Sequence, residues 1–598
     1  MSTDKNSPVV ESTVVKGNQA TNDKKSAPSQ TKTASNDTTS TQSIADLKQS
    51  AVAANTSNTQ SDEQAQKKAK IKDDLAAEAK AKKAEESNEF DTAAAPKTAA
   101  KTAAKTDNKT DTKAEDKPAA TSKTETAVKA AADSDKTETA NTATKAKEAT
   151  QKTTSDKPAT STKKKAVTKL SAGQHRVAVL GGNRIPFARS NGPYADVSNT
   201  DMLTAALNGL IERYNLQDQQ LGEVVAGAVM KLSRDINLTR ESVLNTALDP
   251  HTPSYDISQA CGTGLQATFA SANKIALGVI DSAIIGGVDT TSDAPIAIGD
   301  GLRKVIIKLG AAKTNKQRLQ ALMGLNPKDL IDAPQNGEPR TGLSMGEHQA
   351  ITTLEWNISR EDQDDLAFKS HQNLARAYED GFFDDLITPY KGLTRDNNLR
   401  PDTTLEKLAK LKPVFGKKNA NPTMTAANST PLTDGASCVL LGTDEWAKEH
   451  GLKPLAYITH QETAAVDFIG KSGNSEGLLM APAYAVPRML ERAGLTLQDF
   501  DFYEIHEAFA SQVLSTLAAW EDESFCQERL GLDAPLGSID RSKLNVNGSS
   551  LAAGHPFAAT GGRILATAAK LLDQKGSGRA LISICAAGGQ GVTCILEK

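Results

Sequence analysis

The sequence predicts a layered α/β fold made of two related halves, with a subdomain inserted in the first half and a disordered tail ahead of both. Three observations carry this reading. From about residue 175 onward, short apolar runs bounded by glycine alternate with amphipathic helical stretches, the grammar of α/β layers. A unit of turn, helix, strand and glycine pair occurs twice, once at 254–287 and again at 545–589. Composition also changes abruptly near residue 170.

Residues 1–170 contain one glycine (Gly17), one aromatic residue (Phe90), no cysteine and no arginine. They carry 30 Lys against 24 Asp and Glu, a net of +6; the other 428 residues carry 40 basic and 49 acidic side chains, a net of −9, which restores the overall −3. So few apolar anchors cannot offset the entropy of ordering the backbone, and the tail is expected to be disordered. Within it, 63–86 is helix-prone but has almost no apolar stripe, the pattern of a solvated helix. The lysines of 97–147 are interleaved with acids that largely cancel their field, which argues against a nucleic-acid partner. No run of eighteen uncharged apolar residues occurs, so no transmembrane helix is expected. Signal-peptide and Arg-rich presequence patterns are also missing. Five cysteines in 598 residues read as reduced thiols rather than a disulfide framework, and a cytoplasmic protein is expected.

The ordered part opens on a strand, Arg176–Gly181, followed by an amphipathic helix, Asn199–Tyr214, with an Asn/Thr start. Glu223–Val229 is a strand. Ser254–Ser258 is extended and leads into Gln259–Gly264, after which Leu265–Leu277 is helical. Ser282–Gly287 is a buried strand ending in two glycines. Residues 293–421 have a different texture of charged helices and read as the inserted subdomain, which divides the chain into a first half at 175–430 and a second at 431–598. In the second half Phe500–Ile505 is a strand running into His506–Phe509 and a helix. Asn545–Pro556 is a Gly-rich turn before the helix Ala558–Asp573. Arg579–Cys585 and Val592–Leu596 are strands on either side of Ala586–Gly591.

Four residues in this frame could carry chemistry. Cys261 lies between an extended segment and a helix, flanked by Gly262 and Gly264. Unpaired N–H groups at a helix start favour a thiolate, and small neighbours admit a substrate. A structural cysteine in a turn is the competing reading. His555 and His506 sit at turns before helices, where either could be a capping residue. Cys585 ends a buried strand, where an inert thiol is common. The set says more than its members, because all four fall at the strand-to-helix or strand-to-loop edge where α/β sheets build active sites. No CxxC, HExxH, GxGxxG or P-loop spacing occurs, so no metal or nucleotide site is expected.

Eight blocks in order identify a resemblance. They are GGNRIPFAR (181–189), ACGTG around Cys261, GGVDTTSDAP (286–295), and the long stretch 358–389 beginning ISREDQDD. TMTAANSTPLTDGAS (423–437), HEAF (506–509), NVNGSSLAAGHPFAATGGR (545–563) and CAAGGQG (585–591) complete the set. From about 175 to 598 the chain resembles the thiolase family. The HEAF block, with His where many thiolases have Asn, resembles the branch of fatty-acid-oxidation thiolases and trifunctional-enzyme β subunits.

That resemblance implies the thiolase fold, two pseudo-symmetric βαβαβαββ halves in an α/β/α/β/α core with an inserted loop domain. It implies acetyl-CoA C-acyltransferase activity in β-oxidation: thiolytic cleavage of 3-oxoacyl-CoA and the reverse Claisen condensation. No cofactor is implied beyond coenzyme A as substrate. Cys261 is implied as the acylated nucleophile, His555 as acceptor of its proton, and Cys585 as acid/base. One oxyanion hole would use His555 and His506, the other the N–H groups of Cys261 and Ala587. Met345 and Ser429 match positions lining the pantetheine arm, and Gly588 stands with Ala587 among the substrate-binding positions. Glu347-His348 departs from the family's usual small residues, either to alter the acyl pocket or as a helix-start substitution. The resemblance further implies a homodimer or homotetramer, with a hydratase/dehydrogenase α subunit as a candidate partner. The stretch 303–318 (RKVIIKLGAAKTNKQR) reads as a helix packed in the loop domain, or as one docked on a membrane surface or partner. A ketosynthase, or a non-catalytic lipid-binding protein on the same fold, is the alternative.

Overall fold

The computed structural model describes residues 175–334, 337–473 and 475–598; the tail lies outside them. In the first half, β1 (Val177–Arg184), β2 (Ala188–Arg189), β3 (Glu223–Ala226), β4 (Ser254–Asp256) and β5 (Ser282–Asp289) precede the insertion, which contains the two-stranded ribbon β6 (Ala297–Ile298) and β7 (Ile331–Asp332). After it come β8 (Thr433–Gly442), β9 (Ala456–Ala465), β10 (Phe502–Ile505), β11 (Arg579–Ala586) and β12 (Gln590–Glu597). One sheet runs β10-β11-β12-β9-β1-β8-β5-β3-β4, with β2 added on β8.

Pairing directions expose the internal symmetry. In the first half β4, β3 and β5 are parallel, and β5, β8 and β1 antiparallel. The second half repeats this: β10 is parallel to β11, while β11, β12 and β9 are antiparallel. The counterpart of β4 there is a single parallel bridge, Tyr503 to Leu544. Equivalent strands β1 and β9 pair antiparallel from Val177–Ile458 to Val179–Ala456, as a two-fold axis between the halves requires. Strand β8 lies between β1 and β5, so the first half extends past the boundary at 430 that the sequence suggested. The run TDGASCVLLG opens on polar and small residues and does not announce itself as that half's last strand.

The period of two along each strand builds the layers. Val177 and Val179 of β1, Ala283 and Ile285 of β5, and Ile582 and Ile584 of β11 share one core with Leu265 and Ile564 of two central helices, Thr263–Ala276 and Ala559–Lys575. The alternate residues Ala178, Leu180 and Ile284 face the helix Asn199–Tyr214. In the second half Tyr503, Ile505 and Leu581 face the helices Ala481–Ala493 and Ala510–Glu521. Helices, half-sheet, central helices, half-sheet and helices follow in turn, the α/β/α/β/α order that the family resemblance implied. The two central helices start against each other: a Cβ on Gly264 would lie 2.8 Å from Ala558 O, and one on Gly561 2.3 Å from Leu265 N. Only glycine permits that approach, and it sets the segments carrying Cys261 and His555 side by side.

In the insertion, the packed-helix reading of 303–318 fails. The segment is broken into helices Asp300–Ala311 and Asn315–Leu322. Only Val305 of the first is buried, while Ile306 and Ile307 are 48% and 57% exposed. The second helix, its neighbour, has one buried residue, Ala321, and is too short and polar to cover an apolar face. Helices Met345–Glu355 and Arg360–Glu379 instead pack on the second half through Ala510–Glu521.

Candidate active site

Cys261 sits on a tight turn between β4 and the central helix Thr263–Ala276. Ala260, just before it, has φ 46°, a left-handed conformation that costs a non-glycine residue roughly 1–3 kcal/mol. Local bonds hold the turn: Gln259 N donates to Thr263 Oγ1 at 2.8 Å, Thr263 Oγ1 to Ala260 O at 2.7 Å, and Gly262 N to Gln259 O at 2.9 Å. From the second half, Gln590 Oε1 accepts from Gln259 Nε2 at 2.6 Å and ties this turn to the one after Cys585.

His555 meets the nucleophile: its Nε2 lies 3.0 Å from Cys261 Sγ. Its Nδ1 is 2.6 Å from Thr560 Oγ1, and its N–H donates to Thr433 Oγ1 at 2.7 Å. The His506 ring lies 4.1 Å from that of His555, centroid to centroid. Its Nδ1 is 2.8 Å from Ser550 Oγ, whose hydroxyl is itself held by Arg563 at 3.0 Å. Buried His506 Nε2 has no hydrogen-bond partner among the described residues. Cys585 is buried beside Met345, Phe415, Phe468 and Phe509, close enough to Cys261 for the two thiols to interact. Ser429 is buried with its hydroxyl unpartnered, paired by backbone with Phe509 of the HEAF block. The structure therefore gathers Cys261, His555, His506 and Cys585, with the Ala587 amide favouring the Cys261 thiolate.

Electrostatics depart from the sequence reading in one respect. The helix start does favour a thiolate, and the amides of Ala587 and Cys261 pull the same way. Burial is the larger effect and pushes the Cys261 thiol up to about 12. Burial, then Arg563, brings His555 down to about 3, and burial, then His555 and Arg563, brings His506 well below its usual range. The resting pair is a thiol and a neutral imidazole. Cys585 is pushed well up, first by burial and then by Cys261.

Several residues that sequence reasoning passed over brace this centre. Glu507 accepts from Ser370 Oγ, Asn545 Nδ2 and Leu551 N at 2.8, 2.7 and 3.1 Å, which pins the HEAF block to the insertion. Asp289 accepts from Val229 N, Met230 N and Ala558 N at 2.9, 2.7 and 2.8 Å, which anchors the turn after His555. Glu338, from the insertion, accepts from Gly588 N at 2.6 Å, where Gly588 has φ 81°. In the sequence Glu338 is one acid in a Pro/Gly-rich stretch, and nothing local marks it. Glu347 is a helix-start residue, its N–H bonded to Ser344 Oγ at 3.2 Å. His348 has a different place: it is buried, 2.7 Å from Thr341 Oγ1, and edge-on to Phe468 at 5.8 Å.

Glu504 yields a pH-dependent prediction. It is fully buried, neither carboxyl oxygen has a hydrogen-bond partner among the described residues, and burial raises it from 4.5 to about 8, with Arg563 opposing and Glu507 adding. A folded-state pKa above the unfolded value gives stability that is present below pH 4.5 and lost as pH rises through about 8. Glu504→Gln does not titrate. Urea unfolding across this range should show the variant gaining on wild type as pH rises from 4.5 to 8 and levelling beyond it. A constant difference across that window would refute the assignment.

Comparison with known proteins places this geometry. The model described as Thiolase, N-terminal domain matches residues 177–445, and that described as Thiolase, C-terminal domain matches 452–598. A 3-ketoacyl-CoA thiolase of Alteromonas mediterranea is 41% identical over 429 residues, 71% of this chain and 97% of that protein. One from Yersinia enterocolitica is 39% identical over 429 residues, with the same coverage of 71% and 97%. Human mitochondrial 3-ketoacyl-CoA thiolase in complex with CoA superimposes with a TM-score of 0.59 at 28% identity, over 72% of this chain and 100% of that one. The Bacillus anthracis acetyl-CoA acetyltransferase gives 0.59 at 29% identity, over 71% and 100%.

Proposed function

The chain belongs to the thiolase family, and from that premise we propose that Cys261, His555, Cys585 and His506 carry out its reaction, thiolytic cleavage of 3-oxoacyl-CoA. The contact between Cys261 Sγ and His555 Nε2, 3.0 Å across the two halves, carries the proposal. Cys261 attacks the 3-oxo carbon while its proton passes to His555 Nε2. The charge that develops on the 3-oxo oxygen is met by the amides of Cys261 and Ala587, while His506 Nε2, the buried donor left without a partner, and His555 suit the enolate oxygen of the departing acetyl-CoA. The C2–C3 bond breaks, Cys585 gives its proton to C2, and acetyl-CoA leaves. In the second half, Cys585 takes the proton of the incoming CoA thiol. The CoA sulfur attacks the acyl carbon, and Cys261 departs and recovers its proton from His555. The amides of Cys261 and Ala587, which both favour the thiolate, suit the same acyl oxygen in this half as well. The reverse sequence is the Claisen condensation.

Burial supports this division of labour. A neutral thiol–imidazole pair keeps the nucleophile protonated until the acyl group arrives. Met345 and Ser429 are assigned to the pantetheine arm, and Gly588 with Ala587 to the thioester end. Loss of acetoacetyl-CoA absorbance on adding CoA tests the activity, and a C4 to C16 series of 3-oxoacyl-CoA substrates reads the acyl pocket. A ketosynthase or a non-catalytic lipid binder would show no CoA-dependent loss.

Glu338 is a positioning residue in this scheme, since it holds the Gly588 amide and with it the adjoining Ala587. Hydrogen bonds to a charged acceptor contribute roughly 1.5–3 kcal/mol. Glu338→Ala should therefore lower kcat by roughly 10–100-fold with little change in KM. Glu338→Gln, which keeps an acceptor oxygen, should recover most of it. Equal losses in the two variants would exclude the role.

Self-association is supported by the free edge of β4 and the exposed Ile236 and Leu244 beside it. Analytical ultracentrifugation should give a dimer or tetramer. The exposed face of Ile306 and Ile307, next to Lys304 and Lys308, suits a partner α subunit or an anionic membrane. Liposome sedimentation of wild type and Lys304→Glu/Lys308→Glu separates them, because only the membrane reading requires pelleting that falls with salt.

A further inference from the structure

We propose that Cys261, His506 and His555 form a binding site for a soft divalent ion of the Zn²⁺ class, which blocks the nucleophile reversibly when bound. The inference goes beyond acyl transfer and rests on the trio's geometry, whatever reaction the site performs. One donor atom from each residue lies within 4.8 Å of the other two. A tetrahedral ion with a sulfur ligand near ~2.3 Å and nitrogen ligands near ~2.0–2.1 Å holds its donors about 3.3–3.6 Å apart, so closure needs side-chain shifts on the order of 1 Å.

Orientation is already provided. Each imidazole is held at Nδ1 by a hydroxyl, Ser550 for His506 at 2.8 Å and Thr560 for His555 at 2.6 Å. Partners on the far ring nitrogen are how metal-binding histidines are held in place. His506 Nε2 is the second, independent observation: it is fully buried and unpartnered among the described residues, a rare state for a buried polar atom. Binding exchanges the Cys261 S–H proton, released to solvent, for a sulfur–metal bond, and His506 takes the tautomer with its proton on Nδ1, where Ser550 Oγ accepts it, which frees the Nε2 lone pair. The Cys261–His555 hydrogen bond is replaced by coordination of both atoms, and a fourth position stays open for water or a thiol. Buried Asp289 favours positive charge near Cys261, while the Arg563 guanidinium acts on both imidazoles and opposes part of the charge gained. His506 is the deciding ligand, since without it a Cys–His pair offers two soft donors only.

Co²⁺ titration of the full-length, chelator-treated protein tests the site, with Zn²⁺ as competitor. Wild type should take up about one equivalent into a tetrahedral site and develop a thiolate-to-cobalt absorption in the near ultraviolet. Cys261→Ser should lose that band and Cys585→Ser should retain it. His506→Asn, confirmed as folded by circular dichroism, should bind at least about 10–100-fold more weakly, the loss that even an outer partner of a ligand brings. Should that variant fail to fold, protection of wild-type Cys261 from iodoacetamide by Zn²⁺ and not by Mg²⁺ serves in its place. A cobalt complex without a thiolate band, a Cys585-dependent band, unchanged affinity in folded His506→Asn, or unprotected alkylation would each overturn the proposal. All of these readouts are separate from thiolysis, so the site and the reaction can fail independently.

Discussion

Cys261→Ala is expected to abolish thiolysis, by roughly four orders of magnitude or more, as removal of a covalent nucleophile does elsewhere. Mass spectrometry after incubation with a 3-oxoacyl-CoA should find the acyl adduct on wild type and none on the variant. The fold should survive, because the Cys261 residue keeps some exposure and packs at the margin of the central core even though its sulfur is desolvated, and alanine fills most of its space. Thermal unfolding should shift little. Relief at Ala260 adds nothing, since its positive φ is imposed by the Gln259–Thr263 bonds, which the substitution leaves in place. An acyl adduct on another residue of the variant, or retained turnover, would sink the assignment of Cys261 as nucleophile.

Cys585→Ala should separate the half-reactions. Overall thiolysis should fall by roughly 10²–10⁴-fold, the range for a lost general acid–base. Cys261 and His555 remain paired, so the variant should still accept an acetyl group from acetyl-CoA, more slowly because the departing CoA sulfur is not protonated. Exchange of acetyl-CoA α-protons with deuterated solvent, which requires the base near C2, should stop. NMR of acetyl-CoA in D₂O reads this directly. Near-wild-type exchange in Cys585→Ala would assign that proton to another group. Because burial raises Cys585 well above its ordinary range, the thiolate that takes the α-proton is the minor form at neutral pH. Wild-type exchange should therefore keep rising with pH through the neutral range.

Much of the fold was legible because its signals are local. The helix Asn199–Tyr214 was read to its residue limits from its amphipathic period and Asn/Thr start, although its cap proves to be Ser198, which closes a capping box, and Asn215 ends it in a left-handed conformation. β5 and β11 are short apolar runs that end where the chain must turn, and both were recognised. β8, β9 and the helix Ala481–Ala493 carry weaker local patterns. In β9, AYITHQETAA is mostly half-exposed and polar on one face, and its membership in the sheet follows from pairing with β1 and β12.

The sequence alone determined which residue types could do the chemistry and that they stand at strand edges, because nucleophile, imidazoles and glycine-rich turns are short-range patterns. The blocks at Cys261, His506, His555 and Cys585 were sufficient to identify the family. Only the tertiary structure decided what those residues feel. Cys261 and His555 are 294 residues apart, and their contact depends on β1 pairing with β9 and on two glycine-faced helix starts. Burial then outweighs the helix start and holds the thiol protonated, reversing the expectation drawn from the helix alone. Glu338 acquires its role only when the insertion closes over Gly588, and His506 Nε2 is left unpartnered only once both halves exclude water around it. Desolvation and long-range pairing are properties of the assembled core, so no window of sequence contains them.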